Sequence, residues 1–165
     1  MKINITFKAA FLLAITAIAL FPQTGLAQNK KEKKAAAIKS MVEAQNYVFK
    51  AQTALPTSGS TRQLTTDFDL RVSKDTIISD LPYFGRAYTA PLNPAEGPLR
   101  FTSTDFQYTS TPKKKGGWDI VITPKDLQDP RQLTVSIFDN GSASVVVTSY
   151  NRQPISFNGY ITAKK

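Results

Sequence analysis

The residues of this sequence with chemistry to offer are two aspartates, a run of lysines, and a set of aromatics around one arginine. Asp67 and Asp69 stand two apart in a stretch that alternates like a strand, so their carboxyls share a face. Two acids with separated pKa values can run acid and base roles on a glycosidic bond. The same alternation sets them on the solvated side opposite Phe68 and Leu70, and that plainer reading is preferred. Ser110-Thr111-Pro112-Lys113 has the Ser-x-x-Lys spacing of penicillin-interacting enzymes, in which both groups project from one helical face. Here it spans a strand end and a proline turn, without a Lys-Thr-Gly partner, and is read as coincidence.

Absences narrow the chemistry further. The chain has no histidine, which removes the usual base near pH 7, the usual zinc ligand and the middle member of a serine triad. It also has no cysteine, so thiol catalysis, thiolate metal sites and disulfides are excluded. Asp126, Asp129 and Asp139 do not fall in a calcium-loop pattern, and there is no glycine-rich phosphate loop. No catalytic residue, cofactor or metal is assigned.

Binding chemistry is better represented. Tyr83, Phe84, Arg86 and Tyr88 lie in an irregular stretch shaped by Pro82 and Gly85, and are the ligand-binding candidates. The rings offer apolar faces, the tyrosines a polar tip, and Arg86 a cation for an acid or a ring. The bland alternative is that they cover one end of a small core, and the two roles coexist if the cover borders a cavity. Lys113, Lys114 and Lys115 are read as a solvated hairpin tip, with contact to an anionic polymer or lipid as the sharper reading. Trp118 alternates with Ile120 and Ile122 and is read as core.

These groups need a scaffold. From Ala35 to about Ala54 there is no Gly or Pro. Ala37, Met41, Ala44, Val48, Ala51 and Leu55 recur at spacings of four and three, with Ile38, Val42 and Phe49 widening the stripe, which predicts a helix. Pro56 and the Thr57-Ser58-Gly59-Ser60 run stop it. From Arg62 the period becomes two. Strands are predicted from Arg62 to Val72, Thr76 to Leu81, Arg100 to Thr111, Trp118 to Ile122, Leu133 to Ile137, Ala143 to Val147 and Ile155 to Ile161. Lys74-Asp75, Lys113 to Gly117 and Asp139-Asn140-Gly141 mark turns, the last most strongly. Short links favour antiparallel neighbours. The expectation is a mostly β member of the α+β class. Its N-terminal helix packs on a curved antiparallel sheet or partly closed barrel of about seven strands, with a sandwich left open.

The first 27 residues read as an export signal. Lys2 and Lys8 precede the apolar run from Ala9 to Phe21, Pro22 breaks it, and Gly25-Leu26-Ala27 supplies a cleavage site before Gln28. A basic leader, 28–34, then precedes a single domain, 35–165. After cleavage the chain keeps 19 Lys and Arg against 12 Asp and Glu. Export makes nucleic acid the least fitting partner for that charge, and peripheral contact with an anionic surface the better one. The expected location is the periplasm or outer envelope, soluble after cleavage, without a lipidated cysteine.

One set of segments carries a resemblance. Phe49-Lys50-Ala51-Gln52-Thr53-Ala54-Leu55-Pro56, Leu70-Arg71-Val72-Ser73-Lys74-Asp75 and Leu81-Pro82-Tyr83-Phe84-Gly85-Arg86-Ala87-Tyr88 make its first half. Phe101-Thr102-Ser103-Thr104-Asp105-Phe106, Lys115-Gly116-Gly117-Trp118-Asp119-Ile120 and Asn151-Arg152-Gln153-Pro154-Ile155-Ser156-Phe157-Asn158-Gly159 make the second. Together they resemble an exported family of Bacteroidota catalogued as domain of unknown function 4251. The resemblance implies a bacterial source and an envelope location, and carries over no catalytic role. The leading expectation is a non-enzymatic binding module for a small molecule, glycan, lipid or envelope protein, working through the concave side of its sheet. A structural or assembly protein and a carboxylate-dependent hydrolase are the alternatives.

Overall fold

From Tyr47 onward, side chains alternate between a buried and an exposed face, the pattern of strands wrapped around a core. The computed structural model describes residues 24–88 and 99–164, with side chains from Lys30 onward, and in these one helix precedes nine strands. The chain divides into two compact units, Met1–Glu32 and Lys33–Lys165. Of the first, the described part, 24–32, is helical, and the predicted export signal up to residue 23 lies outside the described residues. The second holds the rest of the helix and the whole sheet.

Helix α1, Thr24–Glu43, includes the predicted basic leader, and its C-terminal turns bury Ile38 and Val42 with Met41 packed beside them. It ends eleven residues before the predicted stop at Ala54. The Asn46 N–H donates to the Met41 carbonyl at 3.0 Å and the Gln45 N–H to the Val42 carbonyl at 3.1 Å, a Schellman cap. Gln45 takes the left-handed conformation, φ 49°, that glycine normally supplies there. The residues that follow form β1, Tyr47–Pro56, not helix. Tyr47, Phe49 and Ala51 point inward, and aromatic and β-branched side chains suit that pleated surface better than a helix.

The remaining strands are β2 (Arg62–Val72), β3 (Ile77–Leu81), β4 (Leu99–Ser103), β5 (Phe106–Pro112), β6 (Trp118–Pro124), β7 (Gln132–Ile137), β8 (Ser142–Thr148) and β9 (Ile155–Thr162). They form one antiparallel sheet in the order β4-β3-β2-β1-β9-β8-β7-β6-β5. Two meanders, β1 to β4 and β5 to β9, are thus joined along the β1–β9 seam. Phe49 lies opposite Ile161 there, and Ala51 opposite Gly159, before the register shifts between Ala51 and Thr53.

The two edge strands, β4 and β5, are consecutive in the chain. The predicted single strand from Arg100 to Thr111 is broken at Thr104-Asp105, so that its first half pairs with β3 and its second with β6. Asp126 clamps this corner. Ser103 Oγ donates to its Oδ1 at 2.5 Å, and the N–H groups of Thr104 and Asp105 donate to Oδ2 at 2.8 and 3.2 Å. These bonds, that from Ser103 foremost, hold the Asp126 carboxyl at about 2. Bringing both edges to one corner nearly closes the sheet into a barrel, which limits exposed edge.

Leu70, Val72, Ile77, Leu99, Ile120, Ile122, Leu133, Val135, Val145, Phe157 and their inward neighbours fill the interior, with Ile38 and Val42 part of the same core. Two tyrosines are set among them. The buried hydroxyls of Tyr47 and Tyr108 face one another and have no other partner, and burial, with Tyr108 beside it, pushes the Tyr47 phenol well above its ordinary value. No described helix is long and apolar enough to cross a membrane.

Candidate functional site

Antiparallel topology sends the β1–β2 turn, the segment after β3 and the β8–β9 turn to the same end of the barrel, away from the end where β1 begins. The predicted set Tyr83, Phe84, Arg86 and Tyr88 lies here, directly after β3. Two jobs are divided among these residues.

Tyr83 is cover. Its ring packs on the core, and its hydroxyl donates toward the carbonyls of Arg86 at 2.9 Å and Gln153 at 3.0 Å. Burial pushes its phenol upward, partly offset by Arg152, whose guanidinium stands 5.9 Å from the ring centroid. Arg152 in turn pairs with Asp129 at 3.3 Å, both side chains largely buried. Ala87 bridges to Arg152, the Tyr88 N–H donates to the Asn151 carbonyl at 2.8 Å, and the Gln153 N–H donates to the Arg86 carbonyl at 3.1 Å. The stretch is therefore strapped to the second meander through its backbone. Gly85 is required by this packing, because a Cβ there would stand 2.5 Å from the Tyr83 hydroxyl.

Phe84 and Arg86 line a cleft. A cavity of about 500 Å³ is bounded by Pro56, Ser58, Gly59, Ser60, Arg62, Tyr83, Phe84, Gly85 and Arg86. Arg62, at the start of β2, lies over the Phe84 ring with its guanidinium carbon 4.8 Å from the centroid. No acidic residue is in the lining, and among the described residues neither Arg62 nor Arg86 makes an ion pair. The structure thus brings Tyr83, Phe84 and Arg86 together and leaves Tyr88 outside the cleft, 66% exposed. Arg62 was not singled out by sequence. Its signal was its place two residues after the Thr57-Ser58-Gly59-Ser60 turn, where a side chain on the first strand residue reaches back over the barrel end. The cleft is at the barrel's end, not on the concave face of the sheet, since core side chains occupy that face.

The other sequence candidates are placed elsewhere. Asp67 and Asp69 share the outer face of β2, but Asp69, only 4% exposed, is engaged by Lys50 Nζ at 3.0 Å and Arg71 Nε at 3.2 Å. Asp80, opposite Asp69 on β3, pairs with Arg100 at 2.6 Å. The carboxylates are balanced within a row of charges that crosses β1 to β4, and they do not converge as a catalytic pair must. Lys113 pairs with Asp119 at 2.9 Å and lies over the Phe138 ring, so it is not a base for Ser110. Trp118 packs partly on the core, as expected, but also lines a second cleft between α1 and the β5–β6 turn. Among the described residues no three acidic groups gather in a way that would hold a metal ion.

A family model described as "Domain of unknown function (DUF4251)" matches residues 29–161. No curated protein matches the chain. Among solved structures, a DUF4251 family protein from Bacteroides eggerthii superposes with a TM-score of 0.58, covering 81% of this chain and 87% of that one at 15% identity. At that identity the likeness shows the fold.

Proposed function

The chain belongs to the DUF4251 family, and we propose that it is a binding module taking an anionic ligand with an apolar body in the cleft of Arg62, Phe84 and Arg86. A single observation carries this reading: two guanidiniums line a cavity of about 500 Å³ that contains no carboxylate to balance them. Two arginines without an ion pair in one cleft are suited to bidentate recognition of a carboxylate, sulfate or phosphate. Phe84 and Tyr83 in the lining supply apolar surface, and the hydroxyls of Ser58 and Ser60 neutral donors, next to the charge. The volume is within the range of small-molecule sites. The signal pattern before Gln28 and the absence of cysteine support export to the periplasm or outer envelope as a soluble protein.

The test is titration with an arylsulfonate, followed by the probe's fluorescence. Arg62→Gln with Arg86→Gln should weaken binding by about tenfold or more, since each charge-assisted hydrogen bond to an anion is worth over 1 kcal/mol. Lys114→Gln with Lys115→Gln removes the same charge from the β5–β6 turn and should change it little. Equal losses in both double variants would reduce the effect to net charge and refute the site. Assembly through protein contacts is the second reading, supported by Tyr88 and Tyr150, which remain 66% and 64% exposed at this same end.

A further inference from the structure

At the other end of the barrel, where β1 begins, a second cleft of different chemistry opens between α1 and the β5–β6 turn. Its volume is about 640 Å³. Trp118, the single tryptophan of the chain, lines it from the first position of β6, opposite Pro112 on β5 and Ile137 on β7. Ala35 and Ala36 form the helical wall, and their small side chains leave the space open. Polar groups stand around this apolar centre: Ser110, Lys39, Glu43, Lys113 and Asp139.

All but one of the charges of this rim are paired, unlike those of the arginine cleft. Lys39 pairs with Glu43 along the helix at 3.8 Å, and Lys113 is held by Asp119. Asp139 is different. It has no ion pair among the described residues, and it is set against the turn that precedes Trp118, where a side chain in place of Gly116 would run into its carboxylate. Gly116 thus lets the carboxylate lie close against the turn, in the same cleft as Trp118. One step inward on the same face of β5 from Ser110 comes Tyr108, whose hydroxyl is turned to that of Tyr47 in the core rather than to the cleft. The cleft therefore combines an aromatic side chain, one carboxylate without an ion pair, and hydroxyl and paired ammonium groups at its border.

We infer that this cleft binds an uncharged saccharide, one pyranose ring lying on Trp118 with its hydroxyls toward Asp139 and Ser110. A sugar ring has an apolar C–H face and an edge of hydroxyls that both donate and accept, which is the division the cleft offers. An anionic ligand would be repelled by Asp139, a cationic one would find no second lining carboxylate free of an ion pair, and a purely apolar one would desolvate the Asp139 carboxylate without replacing its hydrogen bonds. The site is separate from the arginine cleft and does not depend on it.

Because Trp118 is the only tryptophan, its emission, excited where the tyrosines do not absorb, reports on this cleft alone. The purified chain is titrated with neutral disaccharides of glucose, galactose and N-acetylglucosamine, and with an arylsulfonate. The expected result is a saturable change in emission with at least one disaccharide. Ala36→Arg, an exposed helical position that fills the cleft, should abolish the change, and Asp139→Ala should weaken it while leaving the emission of the free protein in place. Arg62→Gln with Arg86→Gln should leave the titration unaltered. Absence of a saturable change with every disaccharide overturns the inference. So does a change that persists in Ala36→Arg, or one produced only by the arylsulfonate.

Discussion

Replacing Gly159 with alanine tests how the two meanders are joined. Gly159 lies on β9 between Ala51 of β1 and Ala143 of β8, at the point where the β1–β9 register shifts. That shift presses the Lys50 carbonyl against it. A Cβ at position 159 would overlap the carbonyl oxygen of Lys50, and would stand 2.9 Å from its carbonyl carbon and 3.2 Å from Ala51 Cα. All of these are backbone atoms, so no rotamer change relieves the overlap. β1 must withdraw from β9 by about 1 Å, in an interior packed too closely to absorb it freely. Overpacking alone costs about 1–3 kcal/mol, and weakening one or two ladder hydrogen bonds adds about 1 kcal/mol. The expected loss is therefore about 2–4 kcal/mol, or a fall in Tm of roughly 6–12 °C for a chain of this size. Urea denaturation followed by circular dichroism measures it, with Asn158→Ala, an exposed neighbour on the same strand, as the control within about 0.5 kcal/mol of the parent. A Gly159→Ala protein as stable as that control would refute the close approach of β1 and β9 at the bulge.

Two further predictions follow from the same scaffold. Asp126 ionises at about 2 in the fold against an ordinary value of 3.8, so its stabilisation is complete above pH 4 and is lost as pH falls from there through about 2. Asp126→Asn should remove that part of the acid dependence in a series of Tm measurements against pH; an unchanged profile would show that the corner is not held by the ionised carboxylate. Gln45→Gly should stabilise the protein by about 0.5–1 kcal/mol, since the left-handed conformation costs an ordinary residue about 1–2 kcal/mol and glycine's larger unfolded-state entropy offsets part of that. Destabilisation by Gln45→Gly in urea would contradict the cap.

The strands after Arg62 were legible because their alternation is set by the core they enclose. Leu133, Val135 and Ile137 on β7, and Ala143, Val145 and Val147 on β8, flank an Asp139-Asn140-Gly141 turn whose glycine has φ 81°, the conformation its position demands. The helix boundary was not legible. Its stop is a Schellman cap at glutamine, and Met41, Ala44, Val48 and Ala51 keep helical spacing across a junction that tertiary pairing with β2 and β9 converts to strand. The break at Thr104-Asp105 left only a faint mark: the inward face passes from Leu99, Phe101 and Ser103 to Phe106 and Tyr108, a shift of one residue in the alternation, and Asp126, far along the chain, holds the corner where it occurs. For the candidate site, local crowding of Tyr83, Phe84 and Arg86 was visible in the chain, but the contribution of Arg62 needed the turn to bring β2 back beside them. Tyr88 failed to join because its backbone is committed to Asn151, which swings the ring outward.

The central claim, an anionic ligand held by Arg62, Phe84 and Arg86, is tested most directly by native mass spectrometry of the protein purified gently after export from a related bacterium. The expected result is a reproducible added mass, lost on denaturation, acidic on identification, and absent from the Arg62→Gln, Arg86→Gln double variant. A bare monomer that also fails to take up an arylsulfonate, or an added mass retained in full by the double variant, would contradict it.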